Sequence, residues 1–485
     1  MVTGLTFVAT LGGLLFGYDT AVISGAVTSI DANFIDPQHL SETARSSLSG
    51  WTVSSALFGC IIGAIVAGWV SNAIGRKGGM IVAGALFLIS AAGSAYPEFG
   101  LGPIGGMGAA ALRPFIMYRI LCGVGVGIAS MLSPLYIAEI APSRIRGRLV
   151  SFNQLSIVLG MLLVYFVNWG IASQGDEAWI QSTGWRLMLL SEAIPALLFL
   201  ALLTLVPDTP RWFAMKGRHD KALEVLKRLV GEEEARTTIQ EIGASLVVPE
   251  HSHTGLFAFG SMVIVVGVLL SLFQQFVGIN VVLYYAPLMF KNLGASTDSA
   301  LMQTIIVGIA NVLFTVVAIL TVDRLGRKPL LIVGGLVMGI AMVTLGFLFQ
   351  AKSVGTGPLI AAVAYIAGFA LSWGPVTWVL LSEMFPNSVK SKAMALAVAA
   401  QWIANLFVSW SFKILIGNSV LNAMFNHGFP YWVYGAMSFL AAAFVYFYVP
   451  ETKRRTLEEI QNLWKRSDSS AGPAQRPVSK QPVVG

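Results

Sequence analysis

The chain alternates long apolar stretches with short polar or basic ones, and that alternation limits its fold more than any other feature. Windows of about 20 residues, enough to cross the hydrocarbon core of a bilayer as a helix, recur near 5–26, 50–70, 78–96, 115–138, 149–172 and 185–206. A charged interval follows at 207–255, then six more windows near 257–289, 300–322, 329–350, 358–384, 393–412 and 430–449. Twelve spans are expected, as six plus six. Of all residues, 55% are hydrophobic and only 11% charged, whereas globular domains carry about 25% charged residues. The class is therefore an all-α polytopic membrane protein with the lipid bilayer as its surroundings. The first window carries Asp19 and has no basic residue before it, so it reads as a retained span and not as a cleaved leader.

Positive charge is distributed unevenly between alternate loops. One set holds Arg76 and Lys77, then Arg144, Arg146 and Arg148, then the basic residues from Arg211 to Arg236, then Arg324, Arg327 and Lys328, then Lys390 and Lys392, and the tail from Lys453. The other set holds only Arg45, Arg113, Lys291, Lys352 and Lys413. The positive-inside rule makes the first set cytoplasmic, with both termini inside a cell (inner) membrane. Because the net charge of +7 sits in these clusters, no nucleic-acid partner is expected. Cys60 and Cys122 lie in apolar stretches and suggest neither a disulfide framework nor a metal site. The histidines have no ligand spacing, there is no Walker motif, and no nucleophile–base constellation appears. The chain is thus expected to be neither an enzyme nor a cofactor protein. The segment "GVGVGIAS" at 123–130 lacks the strand and acid of a dinucleotide site and is expected to serve close helix packing.

The two halves repeat each other. "SNAIGRKGG" after the second span is echoed by "VDRLGRKPL" after the eighth, "EIAPSRIRGR" after the fourth by "EMFPNSVKSK" after the tenth, and "PDTPR" after the sixth by "PETKR" after the twelfth. Three pairs in the same order indicate an internal duplication. The expected organisation is a six-helix bundle over 1–206, a connector with short amphipathic helices over 207–255, a second bundle over 256–450, and a partly disordered tail over 451–485. In the connector, Leu223, Leu226 and Val230 have helical spacing. Two parallel halves imply a central cavity reached alternately from either side. Arg76, Glu139, Arg146, Arg327, Glu383 and Lys390 are expected to gate the basic side through ion pairs across the halves, the alternative being simple loop anchoring.

Ionisable groups inside spans are costly, by roughly 2.5–3.5 kcal/mol at a helix centre on insertion scales. Asp19 in the first span, Arg119 in the fourth and Glu192 in the sixth are such groups. They form either a proton switch or a permanent ion pair that holds helices together. Gln275 and Asn280 would lie on different faces of an ideal helix, but Gly278 between them is positioned to unwind it.

The segments "GYDTAVISG", "RIRGR", "PDTPRW", "QQFVGINVVLYYAP", "GPVTWVLLSEMFP" and "PETK", with "GRK" in both halves, resemble the sugar porters of the major facilitator superfamily from residue 5 to about 465. The resemblance is strongest to the bacterial branch that carries D-xylose with protons. One departure is Asn72, where the first-half loop signature normally has Asp; the second half keeps Asp323. The resemblance implies import of a monosaccharide by alternating access in a monomer. It implies sugar contacts at Phe16, Gln154, Gln274, Gln275, Asn280, Tyr284, Asn311, Gly374, Trp378, Gln401 and Trp402. Amides offer a neutral polyol donors and acceptors without charge, and aromatic faces suit its C–H surfaces. The competing account of the amides is hydrogen bonding between helices. Met161, two turns beyond Gln154, either borders the sugar or packs. Proton-coupled members match Asp19, while animal facilitative carriers have Asn there; an Arg matching Arg119 and a Glu matching Glu192 are also found in the family. A carrier without proton coupling and a membrane sugar sensor are the alternatives.

Overall fold

The computed structural model describes residues 2–142, 145–247, 261–353, 355–385 and 389–453, without the side chains of 146–148, 245–247, 323, 382 and 390–391. Arg146 and Lys390, expected at the gate, therefore have side chains outside this description, as do the end of the connector and most of the tail. Among the described residues there is no strand, and eleven helical stretches are long and apolar enough to cross a membrane. One of them, Glu42–Ala95, is 54 residues long and turns at Gly75 (φ 90°), so it carries the second and third spans together. The twelve spans form two six-helix bundles joined by a helical connector.

Three spans are interrupted where the sequence denies a helix its hydrogen bonds. Pro195 has no N–H for the carbonyl of Ser191, and the sixth span breaks at Ser191–Glu192, where Ile194 N–H takes that carbonyl instead. Pro375 likewise cannot pair with Leu371, and the tenth span breaks between Thr356–Leu371 and Pro375–Met384, placing Gly374 in the gap. The seventh span breaks between Ser261–Phe276 and Ile279–Asn292 at Gly278, whose φ of 90° suits glycine. The unwinding expected there is present. A little further on, Pro287 frees the carbonyl of Leu283, and Tyr165 of the other half donates to it at 3.0 Å.

Within the first half the second and fourth spans lie backbone to backbone. A Cβ at Gly127 would sit 2.5 Å from the Cys60 carbonyl oxygen and 2.6 Å from the Ala64 nitrogen, so only glycine allows this approach. The "GVGVGIAS" run packs helices, as expected. The connector forms helices Pro210–Met215, His219–Val230 and Glu232–Val247. His219–Val230 buries Ala222, Val225 and Leu226 and packs on Pro210–Met215, which touches the second and fourth spans. It lies under the first bundle.

The halves meet where the first span packs on the seventh, the second on the eleventh and the fifth on the eighth. The end carrying the two Gly-Arg-Lys loops is called the basic end below, and the other the opposite end. At the opposite end Trp169 donates to Asp298 (2.8 Å), Thr297 and Lys291 reach Glu177, and Trp410 donates to the Ser47 carbonyl (2.9 Å). Lys413, counted above among loop cations, instead lies buried inside the eleventh span, Lys390–Gly417.

Candidate transport site

Asp19, Arg119 and Glu192 come together in the middle of the first bundle. Their residues are 2%, 2% and 1% exposed, so all three are removed from bulk solvent. Arg119 Nη1 donates to Asp19 in a short ion pair. The Asp19 and Glu192 carboxylates and the Cys122 thiol lie within 4.8 Å of one another, with Cys122 Sγ 3.9 Å from Glu192 Oε1. The break at Ser191–Glu192 lets the sixth span present Glu192 here, and Tyr18 OH, 2.7 Å from Ser191 Oγ, pins that break to the first span. Arg119 Nε, though buried, has no hydrogen-bond partner among the described residues.

A small cavity of about 20 Å³ opens beside this cluster. Asp19, Arg119, Phe16, Tyr284 and Trp402 line it, together with Cys60 and several apolar residues. Phe16 and Trp402 belong to different halves, and their rings stand 5.8 Å apart at 49° across the seam. Aromatic faces and the ion pair thus share one space.

The amides form a connected chain in the second half. Gln274 donates to the carbonyls of Trp373 (2.9 Å) and Gly374 (3.4 Å), both exposed by the break in the tenth span. Its own carbonyl accepts from Gln275 (3.3 Å) and from Gln401. Asn280 donates to Gln275 at 2.6 Å, a contact that the break at Gly278 makes possible. Asn311 Nδ2 lies 4.0 Å from Met161 Sδ of the other half. Gln154 is half-buried and has no hydrogen-bond partner among the described residues. Trp378 is 36% exposed and does not line the cavity. Thr20, Val53, Ala56 and Leu57, which do line it, went unnoticed in the sequence because small and apolar residues carry no signal of their own, and Cys60 was read there only as filling.

At the basic end the three sequence repeats converge on one arrangement, built twice. Arg76 pairs with Glu139 (2.8 Å) and Arg327 with Glu383 (2.8 Å). Thr209 donates to Glu139, and Thr452 donates to Glu383 at 2.6 Å. The Arg76 N–H donates to Asp208 (3.0 Å), and the N–H groups of Arg327 and Lys328 donate to Glu451 (3.1 and 3.0 Å). Gly75 and Gly326, with φ of 90° and 95°, aim these N–H groups. Burial pushes the Asp208 carboxyl above its ordinary value, against the lowering effect of its backbone hydrogen bonds. These ion pairs run inside each half, whereas the sequence reading placed them across the halves. The carboxylate and the arginine that meet come from neighbouring spans of one bundle, which is the shorter path.

Two bundles around a polar, aromatic cavity with a buried charge cluster define a membrane carrier. Residues 5–464 match the model of the Sugar (and other) transporter family, and the chain belongs to that family. It is 55% identical over 467 residues to the D-xylose-proton symporter of Escherichia coli, covering 95% of each. It is 47% identical over 466 residues to the glucose facilitated diffusion protein of Zymomonas mobilis, covering 96% of this chain and 98% of that one. Among solved structures, the inward open conformation of the xylose transporter XylE from E. coli superposes with a TM-score of 0.86 at 51% identity, covering 96% and 100%. XylE bound to 6-bromo-6-deoxy-D-glucose gives 0.81 at 55% identity, covering 96% and 99%.

Proposed function

We propose that this protein imports a monosaccharide, D-xylose first among them, together with a proton, by alternating access. It does so as a monomer in a bacterial inner membrane, with the basic end and both termini in the cytoplasm. The halves 1–206 and 256–450 rock about the central cavity, tethered by the connector 207–255. The observation that carries this reading is the Asp19–Arg119 pair, buried beside Glu192 and lining the same cavity as Phe16, Tyr284 and Trp402. Asp19, at the cavity wall, is the group placed to take a proton from outer water. Protonation of Asp19 weakens its hold on Arg119, and the sugar-loaded carrier reorients. Deprotonation toward the cytoplasm restores the pair.

The sugar is held by Gln154, Gln274, Gln275, Asn280, Asn311 and Gln401, with Phe16, Tyr284, Gly374, Trp378 and Trp402 closing on it. The hydrogen bonds now made between amides are exchanged for bonds to its hydroxyls. Arg76, Glu139, Arg146, Arg327, Glu383 and Lys390 control the basic end, each Arg–Glu pair keeping its own half rigid while the halves separate. One proton contributes roughly 2.3 kcal/mol per 100 mV and about 1.4 kcal/mol per pH unit. Together these sustain a sugar gradient of about 500-fold.

The similarity to a facilitated diffusion protein supports a second reading, transport without proton coupling. Sugar-driven proton uptake into proteoliposomes separates the two. The wild type should take up protons with D-xylose, and Asp19→Asn should lose that uptake while still exchanging labelled sugar. No proton movement in the wild type, with Asp19→Asn exchanging normally, would establish the uncoupled carrier.

A further inference from the structure

A second buried ion pair bridges the two halves at the opposite end, away from the proton cluster. The first span ends in a π-helical turn, Asp31–Ile35, and Asp31 is its first residue. Its carboxylate accepts from Ser49 Oγ (2.6 Å) through Oδ1 and from Lys413 Nζ (2.7 Å) through Oδ2. Asp31 and Ser49 belong to the first half and Lys413 to the second. Both charged residues are 8% exposed. The Lys413 ammonium also sits 5.9 Å from the Tyr285 ring. Around this point the second and eleventh spans touch closely: Trp410 donates to the Ser47 carbonyl at 2.9 Å, and a Cβ at Gly50 would meet the Trp410 carbonyl oxygen at 2.6 Å.

We propose that Asp31 and Lys413 form a latch that holds the opposite end shut and sets how often the cavity opens there. A contact shifts a two-state equilibrium only if it exists in one state, and this one spans the seam that must part. When the seam opens, both charges return to water and Ser49 loses its acceptor. A π-turn places the carboxylate off the register that a regular helix would give, a feature common at functional positions. The pair therefore biases the carrier toward the state open at the basic end. It lowers the apparent affinity for sugar arriving from the opposite side in proportion to the fraction of time the cavity faces that way.

This inference rests on alternating access but is tested apart from it. Spin labels on Phe99→Cys and Val420→Cys, both on exposed residues at the opposite end in different halves, report the seam by pulsed electron paramagnetic resonance on the whole protein in nanodiscs. With the native pair, the sugar-free distance distribution should be dominated by one short population. Lys413→Gln strands the Asp31 carboxylate and should raise the long population at least about tenfold relative to the short one. Asp31→Asn with Lys413→Gln strands nothing and should open less than Lys413→Gln alone. The exchanged pair, Asp31→Lys with Lys413→Asp, should bring the short population back. Lys413→Gln should also lower the KM for sugar presented at the opposite face. An unchanged distribution in Lys413→Gln, or an exchanged pair no more closed than that single variant, overturns the latch. Absence of uptake by the unlabelled wild type would instead count against the transport reading.

Discussion

Arg76 grips Glu139 with two donors, Nε to Oε2 at 2.9 Å and Nη2 to Oε1 at 2.8 Å, in the first half, where its counterpart Arg327 reaches Glu383 through Nη2 at 2.8 Å. The two sites are not equally dry. Side chains of the first pair are 6% and 7% exposed, those of the second 11% and 27%. Removing one member of a buried pair costs roughly 3–5 kcal/mol because the other charge is stranded, while a solvated pair matters far less. Glu139→Ala should therefore lower the unfolding temperature in detergent clearly more than Glu383→Ala. An equal or reversed order would show that burial does not decide the strength of these clamps.

Gln154 and Gln274 differ in what they do before sugar arrives. Gln274 is the hub of four hydrogen bonds, whereas Gln154 has none among the described residues. Truncating the hub leaves buried groups unsatisfied at about 1–3 kcal/mol each. Gln274→Ala should weaken D-xylose binding by more than about tenfold and also lower thermal stability. Gln154→Ala should weaken binding without moving the unfolding temperature. Calorimetric titration alongside thermal unfolding checks both. A stability loss in Gln154→Ala equal to that in Gln274→Ala would mean that Gln154 serves the fold.

Hydropathy showed the twelve spans because lipid demands about 20 apolar residues from each one, and the repeats showed the halves because duplicated loops keep their spacing. Asp19 and Arg119 were readable as partners because buried charges need one another. The pairing of Glu139 was not readable. Several basic residues lie within reach of it in the sequence, and only the packing of neighbouring spans selects Arg76. Lys413 passed for a loop cation because the eleventh span runs further than its apolar window at 393–412. The break beside Glu192 was within reach, since Pro195 forbids the hydrogen bond that would have continued the helix. The exposure of Trp378 depends on how two bundles face each other, which no local pattern encodes.

Gly278 holds the seventh span open at φ 90°, and a Cβ there would lie 2.7 Å from the Tyr434 ring. Alanine meets both the left-handed penalty, about 1–2 kcal/mol, and that clash. Gly278→Ala should therefore straighten or displace the segment that carries Asn280 and Tyr284. Sugar affinity should fall at least about tenfold, with the variant still inserted in the membrane. Wild-type affinity in Gly278→Ala would mean that the break has no part in shaping the site.

Glu98, in the loop after the third span and paired with Arg186 of the sixth, gives the clearest dependence on pH outside the membrane spans. Arg186 donates to Glu98 through Nη2 (2.7 Å) and Nη1 (2.9 Å) and to the Ala95 carbonyl (2.8 Å), with its guanidinium 4.6 Å from the Trp185 ring. Burial pushes the Glu98 carboxyl up, but the Arg186 hydrogen bonds and charge, with backbone donors such as Gly105 N–H, outweigh it and hold the group below its ordinary value. A carboxylate with a depressed pKa in the folded state binds fewer protons there than in the unfolded chain. Its contribution is complete above the unfolded value, about 4.3, and is lost as pH falls through the lower folded value. Glu98→Gln should therefore be less stable than wild type at neutral pH, and the gap between their unfolding temperatures should narrow below about pH 4. A gap that widens on acidification would reverse the sign of this linkage and remove Glu98 as the group responsible.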